Sequence, residues 1–131
     1  MDAKVGDWVV TPRRGKAVEI NALWYNALRL METWVREELG DADAHKYSEL
    51  ATRVYESFNN RFWYEAGGYL YDVIDGQQGN DSSLRPNQLF AFSLSYPALD
   101  SIRSRRLTVL PEDAVTDVCH LIQLLEGRPG L

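Results

Sequence analysis

Polar side chains gather at the start of an apolar helical segment near residue 20. Glu19, Asn21 and Trp24 fall in the first turns of this segment. A glutamate there complements the positive end of the helix dipole, and polar groups beside a flat aromatic face suit a ring that bears hydroxyl groups. The alternative is a capping glutamate beside a core tryptophan.

A second polar group precedes the helix predicted to begin at Pro86. Its members are Asp81, Arg85, Asn87 and Gln88. The alternative here is ordinary helix capping by Asp81 or Ser83. The repeated arrangement favours a binding function. In a ring of helical hairpins the inner helices begin on one side, so their N-terminal loops would converge on one pocket.

A third candidate is Asp2, in a loop that also carries Trp8. A carboxylate beside an aromatic ring can act as a general acid when burial raises its pKa. The alternative is a solvated aspartate in a mobile terminus. Other residues are weaker candidates. Asp72 and Asp75 are interpreted as turn residues, Tyr69 and Tyr71 as loop packing, and Cys119 as a core thiol.

Helical periodicity organises most of the chain. One apolar stripe predicts a first helix that ends at Gly40, and Asp41 or Asp43 can cap a second helix. The short connection predicts that these two helices are antiparallel. The first stripe holds Leu23, Ala27, Leu30, Met31 and Trp34, and the second holds Tyr47, Leu50, Ala51, Val54, Tyr55, Phe58 and Phe62.

The remaining segments are less regular. Residues 63–85 read as a long loop with a short strand or hairpin. A third helix, buried on most sides, is predicted from Pro86, a short helix over 98–106, and a last one from Pro111. The predicted fold is all-α, with antiparallel helical hairpins in a single domain over 1–131.

Composition restricts the classes of partner. The chain has 131 residues, a net charge of −5 and one cysteine, Cys119. The acidic balance argues against nucleic acid and anionic membranes, and no apolar run is long enough to span a membrane. A single cysteine favours the reducing cytoplasm. His45 and His120 are far apart, so we expect neither a metal nor another cofactor.

Four stretches resemble the glucosidase region of prokaryotic glycogen-debranching enzymes, the amylo-α-1,6-glucosidase family. They are MDAKVGDW (1–8), TPRRGKAVEINALWYNAL (11–28), FWYEAGGYLYDV (62–73) and DSSLRPNQLF (81–90). The resemblance implies an (α/α)6-type toroid of paired helices and inverting hydrolysis of an α-1,6-linked glucose stub on an α-glucan such as glycogen or a limit dextrin. It implies that Asp2 is the general acid, and that Glu19, Asn21, Trp24, Arg85 and Asn87 face the pocket.

The chain also departs from the family. Inverting hydrolysis needs a second carboxylate roughly 6.5–9.5 Å from the acid, and no motif for that base is found. The resemblance fades after Leu110. We therefore expect a fragment of the helical barrel with little activity alone, and self-association through bare hairpin flanks. Two alternatives stay open: a non-catalytic helical interaction module, and a glucoamylase or trehalase relative.

Overall fold

Two long antiparallel helices form the framework of the molecule. The structure is a computed structural model that describes residues 4–9 and 13–107. Helix α1 (Val18–Leu39) and helix α2 (Asp41–Arg61) are separated only by Gly40, whose φ is 95°. The Tyr25 and Tyr55 rings, each fifteen positions from Gly40, lie 5.5 Å apart, as an antiparallel pair requires. The predicted helical hairpin is confirmed.

The junction at Gly40 differs from the prediction in one respect. The Gly40 N–H donates to the carbonyl oxygens of Val35 and Arg36, so glycine ends α1 as expected. Neither Asp41 nor Asp43 caps α2 through its side chain. Both lie inside the first turn, where a negative charge interacts favourably with the positive end of the helix dipole. Asp41 also accepts a hydrogen bond from Arg36 at 2.9 Å.

The buried face of α1 is not the stripe that periodicity indicates. Within the stripe Leu23 is 41 % exposed and Trp34 54 % exposed. The buried residues instead lie about one position away around the helix, at Val18, Ala22, Tyr25, Leu28 and Glu32. Both sets recur at helical spacing, so period alone could not decide which one packs. In α2 most of the predicted stripe packs: Ala51 and Phe58 are buried, as is Phe62 just after the helix, but Leu50 is 38 % exposed.

Short antiparallel strands occupy the region predicted as a loop. Strand β4 (Trp63–Tyr64) pairs with β5 (Tyr69–Leu70), and β6 (Val73–Gly76) pairs with β7 (Gly79–Asp81). Strand β3 (Lys16–Ala17), just before α1, also pairs with β6 and gives the sheet order β3-β6-β7. Near the N-terminus, β1 (Lys4–Val5) pairs with β2 (Trp8–Val9). The hairpin prediction is confirmed, but there are two hairpins in 63–85 and one is joined to the start of α1.

The third helix is shorter than predicted. Pro86 begins a four-residue 3₁₀ helix (Pro86–Leu89), followed by α3 (Phe90–Ser93), and Phe90 is 37 % exposed rather than buried. The helix ends at Ser93 because Leu94 is extended, and Pro97 disfavours helix at Tyr96, so the chain does not resume it there. The short helix predicted at 98–106 is α4 (Ser101–Leu107). The helix predicted from Pro111, with Cys119, lies outside the described residues.

The core lies where α1, α2 and the hairpins meet. Val18, Phe58, Leu70 and Ile74 are each at most 2 % exposed, and the Phe58 ring stacks on Phe62 with centroids 4.7 Å apart. None of the helices described in 13–107 is long and apolar enough to span a bilayer.

Gly15 sets how closely the segment before α1 approaches the β6 strand. Its φ is 133°, and a Cβ there would lie 2.6 Å from the Ile74 carbonyl oxygen and 2.7 Å from Val73 Cγ1. Gly79 has a comparable φ of 93°, but a Cβ there would meet nothing within 4 Å. The two positions therefore differ in available space more than in backbone conformation.

We predict that Gly15→Ala destabilises the chain more than Gly79→Ala. The unfavourable φ should cost Gly79→Ala about 1–2 kcal/mol. Gly15→Ala should lose at least about 1 kcal/mol more, because the methyl group has no room. Urea unfolding of both variants measures the difference. An equal loss in the two variants would show that the close approach does not matter.

Candidate functional site

The centre of the candidate site is the carboxylate of Asp72, whose side chain is only 1 % exposed. Its Oδ2 accepts hydrogen bonds from Arg13 Nε at 2.8 Å and from Arg85 Nη1. Its Oδ1 accepts from Arg13 Nη2 at 3.0 Å and from Asn87 Nδ2 at 3.4 Å. One buried carboxylate thus holds side chains from two distant parts of the chain.

The backbone of Asp72 is also tied on both sides. Its N–H donates to the Asp81 carbonyl oxygen at 2.9 Å, and its own carbonyl oxygen accepts the Val18 N–H at 3.0 Å. Val18 is the first residue of α1, so this bond satisfies an N–H that the helix itself leaves without a partner. Asp72 therefore joins the β6–β7 hairpin to the start of α1.

Arg13 links Asp72 to Glu19. The Arg13 Nη1 and Nη2 atoms donate to the two Glu19 carboxylate oxygens at 2.5 and 2.7 Å, a bidentate arrangement. Burial, the largest single influence, acts to raise the pKa of Glu19, but the hydrogen bonds from Arg13, a backbone hydrogen bond and the positive charge of Arg13 together lower it. The hydrogen bond with Glu19 raises the pKa of Arg13 further above its usual range. Both side chains are charged near neutral pH.

Arg85 links Asp72 to Asp81. Its Nη1 donates to Asp81 Oδ2 at 3.0 Å, and Asp81 Oδ1 accepts from the Ser83 hydroxyl at 2.5 Å and the Ser83 N–H at 2.9 Å. These hydrogen bonds, with that of the Ser83 side chain the strongest, lower the pKa of Asp81. We call the whole set the Asp72 cluster; it comprises Arg13, Glu19, Asp72, Asp81, Arg85 and Asn87.

Gln88 holds the backbone next to the Asp72 cluster through its side-chain amide. Its Oε1 accepts the Leu70 N–H at 3.2 Å and its Nε2 donates to the Arg85 carbonyl oxygen at 3.1 Å. Gln88 is 6 % exposed, and its amide satisfies buried backbone groups on both sides. Its polar atoms therefore fix the chain around Arg85.

An open groove of about 610 Å³ lies beside the Asp72 cluster. Arg13, Asp81 and Arg85 line it, together with the turn of the β6–β7 hairpin. The groove is also lined by amide and hydroxyl side chains, from Gln77 and Gln78 in the turn, Asn80 in β7 and Ser82 just after it. We call it the hairpin groove. Its walls therefore present both hydrogen-bond donors and acceptors, and its charged residues are Arg13, Arg14, Arg85 and Asp81.

Asn21 and Trp24 line a second groove, of about 380 Å³, between α1 and α2. Trp24 is 51 % exposed, and Asn21 donates to the Ala17 carbonyl oxygen at 2.7 Å. Arg53, Ser57 and Arg61 of α2 form the opposite wall. Only some residues of the two polar groups predicted near residue 20 and before Pro86 therefore lie close together. Glu19, Asp81, Arg85 and Asn87 come together, whereas Asn21 and Trp24 line a different groove.

Two of the predicted site residues are not placed by side chain. Asp2 lies outside the described residues, and the structure describes Trp8 only through the backbone of β2. In the described part of the chain, no three His, Cys, Asp or Glu side chains are arranged to hold a metal ion.

Sequence reasoning missed Arg13 and Asp72, the two residues that connect the cluster. The prediction that Asp72 is a solvent-facing turn residue is wrong, because Asp72 is buried and lies directly before β6. Alternation gives no signal for Asp72, because Val73 is buried as well as Leu70 and Ile74. Asp75 is not in the turn either: it lies within β6, where its φ is 55° and the strand register is irregular, and it pairs with Lys16 and Arg61 at the surface.

Comparison with known proteins identifies the class to which this arrangement belongs. The amylo-alpha-1,6-glucosidase family matches residues 1–116, which include all four stretches of the resemblance. The chain belongs to this family, and so to the glycoside hydrolases of glycogen debranching and carbohydrate metabolism. No curated protein and no solved structure matches the chain.

We predict that acid weakens the Asp72 cluster. The lowered pKa values of Glu19 and Asp81 mean that these carboxylates contribute stability in full above their ordinary values of 4.5 and 3.8. That contribution is lost as the pH falls through the lowered pKa values. The free energy of unfolding, measured by urea titration, should therefore decline as the pH is lowered from about 5.

Glu19→Gln tests the assignment. The variant should be less stable at neutral pH and should show a shallower decline in acid, since one linked carboxylate is gone. Glu38→Gln is the matched control, because Glu38 is an exposed glutamate of the same helix outside the cluster. A Glu19→Gln variant with an unchanged acid decline would contradict the linkage.

Proposed function

We propose that the chain supplies part of the α-glucan site of an amylo-α-1,6-glucosidase, which hydrolyses α-1,6-linked glucose branch points. One observation carries this proposal. The segment before α1 and the start of the 3₁₀ helix are far apart in sequence, but both are held at Asp72. The two arginines that Asp72 binds, Arg13 and Arg85, line an open groove. A purely structural hairpin has no need of such a groove wall.

The chemistry of the hairpin groove suits a neutral, hydroxyl-rich ligand. Its guanidinium, amide and hydroxyl groups include both donors and acceptors, which sugar hydroxyls require. Its volume lies within the roughly 300–1,000 Å³ typical of small-ligand sites. The exposed Trp24 face in the second groove offers a surface on which another sugar ring could stack.

We propose an inverting acid/base mechanism with Asp2 as the general acid. In such a mechanism the acid protonates the leaving oxygen, and a second carboxylate roughly 6.5–9.5 Å away activates water. Glu19, Asp72 and Asp81 are poor choices for this base. Their carboxylates accept hydrogen bonds from guanidinium groups, and the pKa values of Glu19 and Asp81 are lowered, so they accept a proton reluctantly.

We assign those three carboxylates to holding Arg13 and Arg85 in place, and the base to a residue outside this set. In the same proposal the α1–α2 hairpin is one pair in a toroid of paired helices, in a cytoplasmic enzyme. The antiparallel hairpin with its polar start is consistent with that architecture.

We predict that the isolated chain binds a branched limit dextrin but releases little or no glucose from it. Binding should shift the NMR amide signals around Arg85 and the β6–β7 turn, whereas hydrolysis also needs a second carboxylate, for which the sequence shows no motif. Cellopentaose, a neutral glucan with β linkages, is the ligand control. Arg85→Ala should weaken binding, so that the shifts need more dextrin to reach the same size, and Arg36→Ala, an ion-paired arginine at the other end of α1, should leave them unchanged.

Two results would contradict this proposal. Robust glucose release would show that the chain contains a complete catalytic pair. An absence of any shift at millimolar dextrin would show that the hairpin groove is not a glucan site.

A second candidate function is a helical interaction module. It is favoured by an exposed apolar stripe on α1, in which Ile20 is 60 % exposed, Trp24 51 % and Trp34 54 %. Leu23 and Ala27 complete the stripe at helical spacing. Apolar surface of this kind drives association, and we propose that a second copy of the chain covers it.

We predict concentration-dependent self-association that Leu23→Lys combined with Trp34→Lys abolishes. Light scattering over a range of concentrations measures the mass. Ile102→Lys is the control, because Ile102 is 74 % exposed on α4 and lies outside the stripe. A single monomeric mass for the unchanged chain at high concentration would overturn this second candidate.

A further inference from the structure

We infer that Asp72 is a positioning residue of the glucan site, which fixes the guanidinium groups of Arg13 and Arg85 at the hairpin groove without touching the glucan itself. This inference rests on the proposed function and adds a residue that the resemblance does not assign. It also explains why a charged side chain is buried at this point of the hairpin.

Burial separates the role of Asp72 from that of its partners. The Asp72 side chain is 1 % exposed, against 13 % for Arg13 and 31 % for Arg85. Both arginines line the hairpin groove, whereas Asp72 does not. A ligand in the groove can therefore meet the arginines, but the carboxylate behind them is out of its reach.

The hydrogen-bonding capacity of the Asp72 carboxylate is used within the protein. An ionised carboxylate offers about four lone-pair sites. Four donors occupy them: Arg13 Nε, Arg13 Nη2, Arg85 Nη1 and Asn87 Nδ2. A carboxylate in this state is suited to holding donors in place and is poorly suited to transferring a proton or binding a sugar.

The contacts also determine the orientation of both guanidinium groups. Arg13 presents one edge to Asp72 and another to Glu19, so its plane is fixed from two sides. Arg85 is anchored through Nη1, which Asp72 and Asp81 share. The Arg85 guanidinium, held in one orientation through Nη1, can donate to sugar hydroxyl oxygens with little loss of freedom on binding, and Arg13 forms a fixed part of the groove wall beside it.

The test is a double-mutant cycle on limit-dextrin affinity, measured by calorimetry with Asp72→Asn, Arg85→Ala and the double variant. Asp72→Asn keeps the side-chain shape but directs an amide donor at guanidinium donors, so affinity should fall about tenfold or more. In the Arg85→Ala background the same change should cost much less, because one of the two groups it positions is absent. An equal effect in both backgrounds would overturn the inference.

Asp75→Asn is the matched control, since Asp75 is an ion-paired aspartate of the same hairpin that contacts Lys16 and Arg61 at the surface. It should leave affinity within about twofold. Thermal unfolding of each variant shows that it is folded at the temperature of the titration. If Asp72→Asn does not fold, Asp72→Glu replaces it, because it keeps the charge and moves the carboxylate by one methylene.

The outcomes separate the two proposals. Folded Asp72→Asn or Asp72→Glu that binds limit dextrin as tightly as the unchanged chain contradicts the positioning role alone. An unchanged chain that binds no limit dextrin contradicts the proposed glucan site, and the positioning role falls with it. Weakened binding that depends on Arg85 supports both.

Discussion

The structure around the site depends on neutralising one buried charge. An ionised carboxylate removed from water is strongly destabilising unless donors surround it, and taking away one partner of a buried ion pair typically costs about 3–5 kcal/mol. Asp72 obtains its donors from Arg13, which is 59 residues away in sequence, and from Arg85, 13 residues away. This requirement draws the segment before α1, the β6–β7 hairpin and the 3₁₀ helix to one point.

The helices and the hairpins then have different tasks. The α1–α2 pair supplies one side of the apolar core, to which the hairpins add Trp63, Leu70 and Ile74. The hairpins also supply the polar groove wall and hold it against the start of α1. Helix α1 begins at the hydrogen bond between the Val18 N–H and the Asp72 carbonyl oxygen. Glu19 in its first turn therefore lies beside Arg13. The position of the site is thus a result of where the first helix starts.

The sequence predicts those parts of this arrangement that local patterns determine. Helical spacing and Gly40 locate α1 and α2, and the family resemblance points to Glu19, Arg85 and Asn87, which the structure brings together. Asp72 was not predicted, because its importance comes from a partner 59 residues away and no local pattern encodes that pairing. The packing face of α1 was also missed, because two apolar sets share one period and only tertiary contacts choose between them.

The pairing of β3 with β6 has a consequence for the order in which the molecule assembles. Lys16 lies opposite Ile74, so this contact closes a long loop of chain, whereas the α1–α2 hairpin closes through a single residue. Loop closure of that length is entropically costly, and local contacts form faster. The helical pair can therefore be present before the groove exists, and partial opening of the chain would dissolve the groove while the helices persist. Ligand binding would then stabilise the groove and the β3–β6 pairing, which form last and are the least stable part of the fold.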